Sequence, residues 1–166
     1  MRSDYILERQ IPLVLAALTP QNRLVMRLAL HTGLRVSDVL SIPAAKLGAR
    51  VGVTERKTGK KKVIGIPAPL LAEIRAGAGQ IWAFPGRDPE KPRTRQAVWW
   101  DVKRACRAFR VSQNVTPHSA RKVYAVRLLQ KYGDLERVRR ALNHGDVATT
   151  MIYAMADRLA GLDLSN

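Results

Sequence analysis

The sequence predicts a mainly α domain with a small antiparallel β-sheet, an α+β fold, and three observations carry that expectation. Apolar residues recur at spacings of three and four through most of the chain. Only residues 49–66 break that rhythm, with alternating and β-branched residues on either side of a glycine turn. Helix punctuation is frequent: Thr19-Pro20, Thr94 and Thr116-Pro117 as starts, Gly33 and Gly133 as stops.

In chain order, a first helix is expected over residues 6–18. Thr19 then offers an N-cap and Pro20 the first position of a second helix, which runs to His31. Gly33 can take the left-handed conformation that closes it, and Val36 to Ile42 forms a short helix closed by Pro43. Arg35 therefore falls at a sharp helix junction. RVGVTE and KKVIGIP read as two strands joined across KTGK, whose Gly59 permits positive φ, with Lys57 flanking the turn. Residues 67–76 read as helix, IWAFP (81–85) as a short strand, and PGRDPEKPR (85–93) as a basic loop.

Thr94 caps a helix that buries Val98, Trp99, Val102, Ala105, Cys106 and Phe109 on one face; of Trp99 and Trp100, at least one belongs to the core. After Thr116-Pro117, His118 and Arg121 lie in the first turns of the next helix and project from one side of it. Gly133 ends that helix, Asp134 caps DLERVRRALNH, Gly145 breaks it, and VATTMIYAMADRL adds further helical turns carrying Tyr153. No repeat and no dividing linker is visible, so residues 1–166 are expected to form a single domain.

Composition narrows the partner. A chain of 166 residues can bury about two-thirds of its unfolded surface and hold an ordinary core. Twenty-nine Lys and Arg against thirteen Asp and Glu give a net charge of +16, which favours a polyanion through steering and counterion release. Nucleic acid is the leading candidate. Basic residues are spread along the chain, from Arg23 to Arg158 and at Arg2 and Arg9 before that, interleaved with apolar positions rather than forming a lipid-anchoring cluster. IPLVLAAL (11–18) is short, follows Asp4 and Glu8 and lacks a cleavage site, so it is not read as a signal peptide. A single cysteine, Cys106, cannot form an internal disulfide; core packing in a reducing, cytoplasmic compartment is its expected setting. The absence of a Cys/His or acidic cluster leaves structural zinc and two-metal chemistry without visible ligands.

Against that background a few residues suit phosphodiester chemistry. An attacking oxygen meets a negatively charged phosphate, so cutting requires cations aimed at the non-bridging oxygens. Arginine binds two such oxygens with its planar fork and stays charged, a role that fits Arg35 and Arg121, although a solvated or ion-paired arginine is the commoner case. Asp38, three residues after Arg35, can orient its guanidinium from behind or simply begin a helix. His118 can carry the nucleophile's proton, or be a structural histidine. Lys57 can protonate the departing 5′ oxygen, and Lys60, Lys61 and Lys62 can do the same or bind backbone phosphates. Arg93, Arg95 and Lys122 join those lysines as candidate DNA contacts. Tyr153 offers an oxygen nucleophile with an ordinary pKa of about 10, which neighbouring cations would lower. Tyr5, Tyr124 and Tyr132 are read as structural; physical chemistry alone does not separate them from Tyr153, whose setting nine residues after His144 does.

TGLRVSD (32–38), RKTGK (56–60), HSARK (118–122) and LNHGDVATTMIY (142–153), in this order and at these separations, resemble the catalytic domain of the tyrosine recombinases, or phage integrases. The likeness covers about residues 20–157. It implies the DNA breaking-rejoining fold and a site-specific recombinase whose Tyr153 attacks a DNA phosphate, leaving a 3′-phosphotyrosyl link and a free 5′ hydroxyl. It implies that Arg35 and Arg121 clamp the phosphate, Lys57 is the general acid, His118 assists proton transfer and His144 hydrogen-bonds the transition state. Neither ATP nor metal is implied, and the partners are double-stranded DNA and further copies of the chain assembled on it, with no membrane. Leu159, Leu162 and Leu164 fall in the C-terminal segment that would pack on the chain's own domain or on a neighbouring protomer. Two departures stand out: Asn143 replaces the usual glycine before the second histidine, and no upstream helical DNA-binding domain is legible. A type IB topoisomerase shares the same chemistry, and a basic DNA-binding regulator without turnover shares the same charge.

Overall fold

The computed structural model describes residues 3–142. His144, Gly145, Tyr153, the helix predicted over VATTMIYAMADRL and the C-terminal leucines lie outside the described residues. Seven α-helices are described: α1 (Ile11–Ala17), α2 (Pro20–Thr32), α3 (Val36–Leu40), α4 (Ala68–Gly77), α5 (Arg95–Ala108), α6 (Ser119–Tyr132) and α7 (Leu135–Leu142). Between α3 and α4, β1 (Arg50–Thr54) and β2 (Lys61–Gly65) form a two-stranded antiparallel sheet. The mainly helical α+β class stands.

α2 is the hub. Val25, Leu28 and Ala29 are fully buried on it, and it packs against α1, α3, α4, α5 and α6. Around it close Val39 of α3, Ile74 of α4, Phe84, Val98 and Val102 of α5, and Val123 and Val126 of α6. A smaller apolar seam joins α6 to α7 through Ala125, Val138 and Leu142. Both left-handed stops occur where expected, with Gly33 at φ 67° and Gly133 at φ 64°. Asp134 caps α7 by accepting from Arg137 N–H at 3.1 Å, and Cys106 packs in the core.

Several local expectations are corrected. The helix foreseen over residues 6–18 is a 3₁₀ turn (Glu8–Gln10) followed by α1, because Pro12 is tolerated only in a first helical turn. IWAFP makes only two isolated bridges, Trp82 with Pro43 and Pro85 with Pro92, and proline nitrogens have no hydrogen to extend a ladder. Phe109 is 43% exposed: α5 ends at Ala108, and Phe109, with ψ near 13°, leaves the buried face. Neither Trp99 nor Trp100 is buried; their rings meet edge to face at 4.9 Å on the surface side of α5. α6 starts at Ser119, so Thr116 and Pro117 lie in the turn before it, with Thr116 Oγ1 accepting from His118 N–H.

Thr19 does not cap α2 with its own side chain. Its N–H and hydroxyl both donate to Asp101 Oδ2 at 2.8 Å, and Asn22 Nδ2 donates to the same oxygen at 2.8 Å. Asp101, on α5, therefore supplies the anion for the N-terminus of α2 from across the core. Burial pushes its carboxyl pKa up, but hydrogen bonds from Asn22, Thr19 and Arg104 outweigh this and hold it below the usual value. The unfolded chain takes up that proton first, so this stabilisation is present above the ordinary carboxylate pKa and lost as pH falls through the lower folded value. Asp101→Asn is expected to lower stability at neutral pH by about 1.5–3 kcal/mol and to flatten the loss of stability below about pH 4. Urea unfolding across a pH series reads both, and an unchanged acid limb would refute the assignment.

Candidate active site

The site begins with the turn between α2 and α3. Gly33 is required there twice: its φ is positive, and the ring of Tyr124 on α6 occupies the space a Cβ would need. This close approach brings the end of α2 against α6. Arg35 follows two residues later as the N-cap of α3. Its Nη1 donates to Glu55 Oε2 at 2.8 Å and lies 4.0 Å from Asp38 Oδ2, with both carboxylates fully buried.

Arg121 rises from the first turns of α6 into the same corner. It is 3% exposed, donates from Nη1 to Gly33 O at 2.7 Å, and donates from Nη2 to Leu142 O at the end of α7. Its Nε is buried without a hydrogen-bond partner among the described residues. Burial lowers its pKa to about 10, helped by the positive charge of Arg35 and opposed by Glu55 and Asp38. At neutral pH it remains a cation, and the two guanidinium groups sense each other directly.

Lys62 completes this arrangement from β2. Its Nζ donates to Thr32 O at 3.0 Å and to Ala141 O at 3.1 Å, and stands 5.6 Å from the centre of the Tyr124 ring. Burial, then the charge of Arg121, lower its pKa, while Glu55 raises it. Lys62 and Arg121 thus hold neighbouring carbonyls at the C-terminal end of α2, where the helix dipole is negative, and in the last described turn of α7. One residue beyond Leu142 begins the segment containing His144.

The remaining predicted residues are placed as follows. Lys57 is exposed in the turn between β1 and β2, next to Thr58, whose Oγ1 donates to Glu55 Oε2 at 2.9 Å. His118 is exposed at the N-cap of α6, three residues before the buried Arg121. Asp38 Oδ1 accepts from Arg56 N–H at 3.0 Å. Lys60 and Lys61 are exposed on the hairpin, whereas Lys62 is turned inward. Arg95 is exposed, Arg93 is half-buried and donates to Asn22 Oδ1, and Lys122 donates to Ser3 O. His144 and Tyr153 lie outside the described residues.

Sequence reasoning passed over Glu55 and the inward role of Lys62, and strand parity could have found both. Val51, Val53 and Glu55 alternate inward along β1 and beyond it. Lys62 pairs directly with Val53, and directly opposed residues in an antiparallel pair share a face. Among the described residues no group of His, Cys, Asp or Glu is arranged to hold a metal ion, and no helix is long and apolar enough to cross a membrane.

Comparison with known proteins adds the family. The model of the phage integrase family matches residues 4–159. The tyrosine recombinase XerD of Halalkalibacterium halodurans is 26% identical over 80% of this chain and 48% of its own length. The tyrosine recombinase XerC of Xanthomonas campestris pv. campestris (strain B100) is 29% identical over 86% of this chain and 46% of its own length. The chain spans about half the length of these curated relatives. Among solved structures, a lambda integrase dimer bound to a COC′ core site matches with a TM-score of 0.74 at 23% identity, over 90% of this chain and 60% of that one. That likeness is one of fold.

Lys62→Met keeps the aliphatic stem and removes the ammonium. It is expected to cost about 1–3 kcal/mol in global stability and to raise amide hydrogen exchange selectively in α7. Unchanged α7 protection would show that Lys62 does not tether the two helix ends.

Proposed function

Because the chain belongs to the phage integrase family, we propose that it is the catalytic part of a site-specific DNA recombinase that cuts and rejoins strands through a tyrosine. The observation that carries this reading is the meeting of Arg35 and Arg121 at one corner, with the Arg121 Nε left without a protein acceptor among the described residues. A phosphate oxygen would satisfy that donor and neutralise two cations that otherwise repel.

In this reading Tyr153 Oη attacks the scissile phosphorus, the bond to the 5′ oxygen breaks, and Lys57 gives that oxygen a proton. Arg35 and Arg121 stabilise the charge that builds on the non-bridging oxygens. His118 assists removal of the tyrosine proton, and His144 donates a hydrogen bond to the transition state. Attack by another strand's 5′ hydroxyl on the phosphotyrosine then releases Tyr153. One phosphoester replaces another at each step, so the bond exchange needs neither ATP nor a metal ion.

Double-stranded DNA is the substrate, in keeping with the +16 charge, and the lambda integrase dimer on its core site supports assembly of several copies on DNA. The C-terminal segment would join neighbouring copies. Activity on chromosomal or phage DNA would take place in the cytoplasm, at the nucleoid. The relatives named here are recombinases and an integrase, which favours strand exchange over a topoisomerase or a regulator without turnover.

A nicked suicide substrate, from which the 5′ fragment diffuses away, is expected to trap a covalent protein–DNA adduct whose modified peptide contains Tyr153. Tyr153→Phe should abolish the adduct, and Arg35→Ala or Arg121→Ala should slow its formation by about 10²–10³-fold. An adduct that survives Tyr153→Phe would refute this reading.

A further inference from the structure

Glu55 receives two donors on one oxygen: Arg35 Nη1 at 2.8 Å and Thr58 Oγ1 at 2.9 Å. Its backbone closes the same turn, with Glu55 N–H donating to Lys60 O at 2.9 Å and Gly59 N–H donating to Glu55 O at 2.8 Å. On the other side of Lys57, Arg56 N–H is held by Asp38 Oδ1. Both neighbours of Lys57 are therefore tied to the two buried carboxylates that flank Arg35.

Resting on the strand-transfer reading above, we infer that Glu55 is a positioning residue that locks the lysine-bearing turn to the Arg35 clamp, through the Thr58 hydroxyl. The physical need is plain. A general acid helps only when its proton lies within hydrogen-bond reach of the leaving oxygen, and that oxygen belongs to the phosphate that Arg35 grips. An exposed lysine on a glycine-containing turn loses that reach readily, because its own long side chain and the turn are both free to move. A carboxylate that binds the clamp and the turn together fixes the distance between them. Held by Arg35 and Thr58 against the opposing effect of burial, the Glu55 carboxyl stays below its usual pKa, so the lock remains charged at neutral pH.

The test compares single-turnover cleavage of two suicide substrates, one with the natural 5′ oxygen and one with sulfur at that bridging position. Sulfur departs as a stable thiolate and does not need the lysine proton. Thr58→Val removes the hydroxyl from an exposed turn while leaving the Glu55–Arg35 pair in place. It is expected to slow cleavage of the oxygen substrate about tenfold, part of the 10²–10⁴-fold that general acid catalysis contributes. The sulfur substrate should be cut at close to the wild-type rate, with DNA affinity unchanged. Thr58→Ser should restore the oxygen rate, and Lys57→Ala should show the same selective rescue by sulfur. Glu55→Gln, which also disturbs Arg35, should slow both substrates, the oxygen one more. Equal slowing of both substrates by Thr58→Val, or no slowing of either, overturns the lock. Failure of the wild-type protein to form any adduct would instead sink the strand-transfer reading, and the lock with it.

Discussion

The structure depends on two cations shared by the end of α2 and the last described turn of α7. Lys62 reaches Thr32 and Ala141, and Arg121 reaches Gly33 and Leu142, so successive carbonyls at the end of α2 and successive carbonyls at the end of α7 are satisfied by one ammonium and one guanidinium. The C-terminus of α2 carries orphan carbonyls and partial negative charge, and cations standing there satisfy both. Here the interposed cations are drawn from β2 and α6. Sheet, hub helix, α6 and α7 are thereby joined at a single point, and the chain leaves that point directly into the segment of His144.

The same arrangement explains why this corner needs its acids. Burial and then the nearby charge of Arg35 depress the pKa of Arg121. Asp38 and Glu55, both fully buried, offset that repulsion without filling the guanidinium donors: Arg35 gives Nη1 to Glu55, and Arg121 keeps Nε without a protein partner among the described residues. The fold thus gathers Arg35, Arg121 and Lys62 against Asp38 and Glu55, so that positive charge exceeds negative charge at this corner. Asp101 applies the same device elsewhere, where a buried carboxylate satisfies the N-terminus of α2.

Much of this was legible in the sequence because it is local. The glycine stops at Gly33 and Gly133, the Thr94 and Asp134 caps, and the hairpin about Gly59 each depend on the conformational preference of one or two residues, and each is found where expected. Arg35 at a helix junction and Lys57 in a turn followed from those stops. Thr19 failed through longer-range competition, giving its hydroxyl to a carboxylate 82 residues away rather than to its own helix, whereas Phe109 leaves the core because α5 ends one residue earlier.

By itself, then, the sequence determined the helix stops at Gly33 and Gly133, the start at Pro20, the hairpin about Gly59, the basic charge and the ordered motifs of the family, since these reside in residue type and spacing. Only the tertiary structure decided that Arg121 would be buried while His118 stays exposed, that Lys62 would bind helix ends rather than face solvent, and that Glu55 would sit against Arg35. Those outcomes depend on which groups from distant segments compete for the same buried hydrogen bonds. That competition begins only once α2, α6, α7 and the hairpin have packed together.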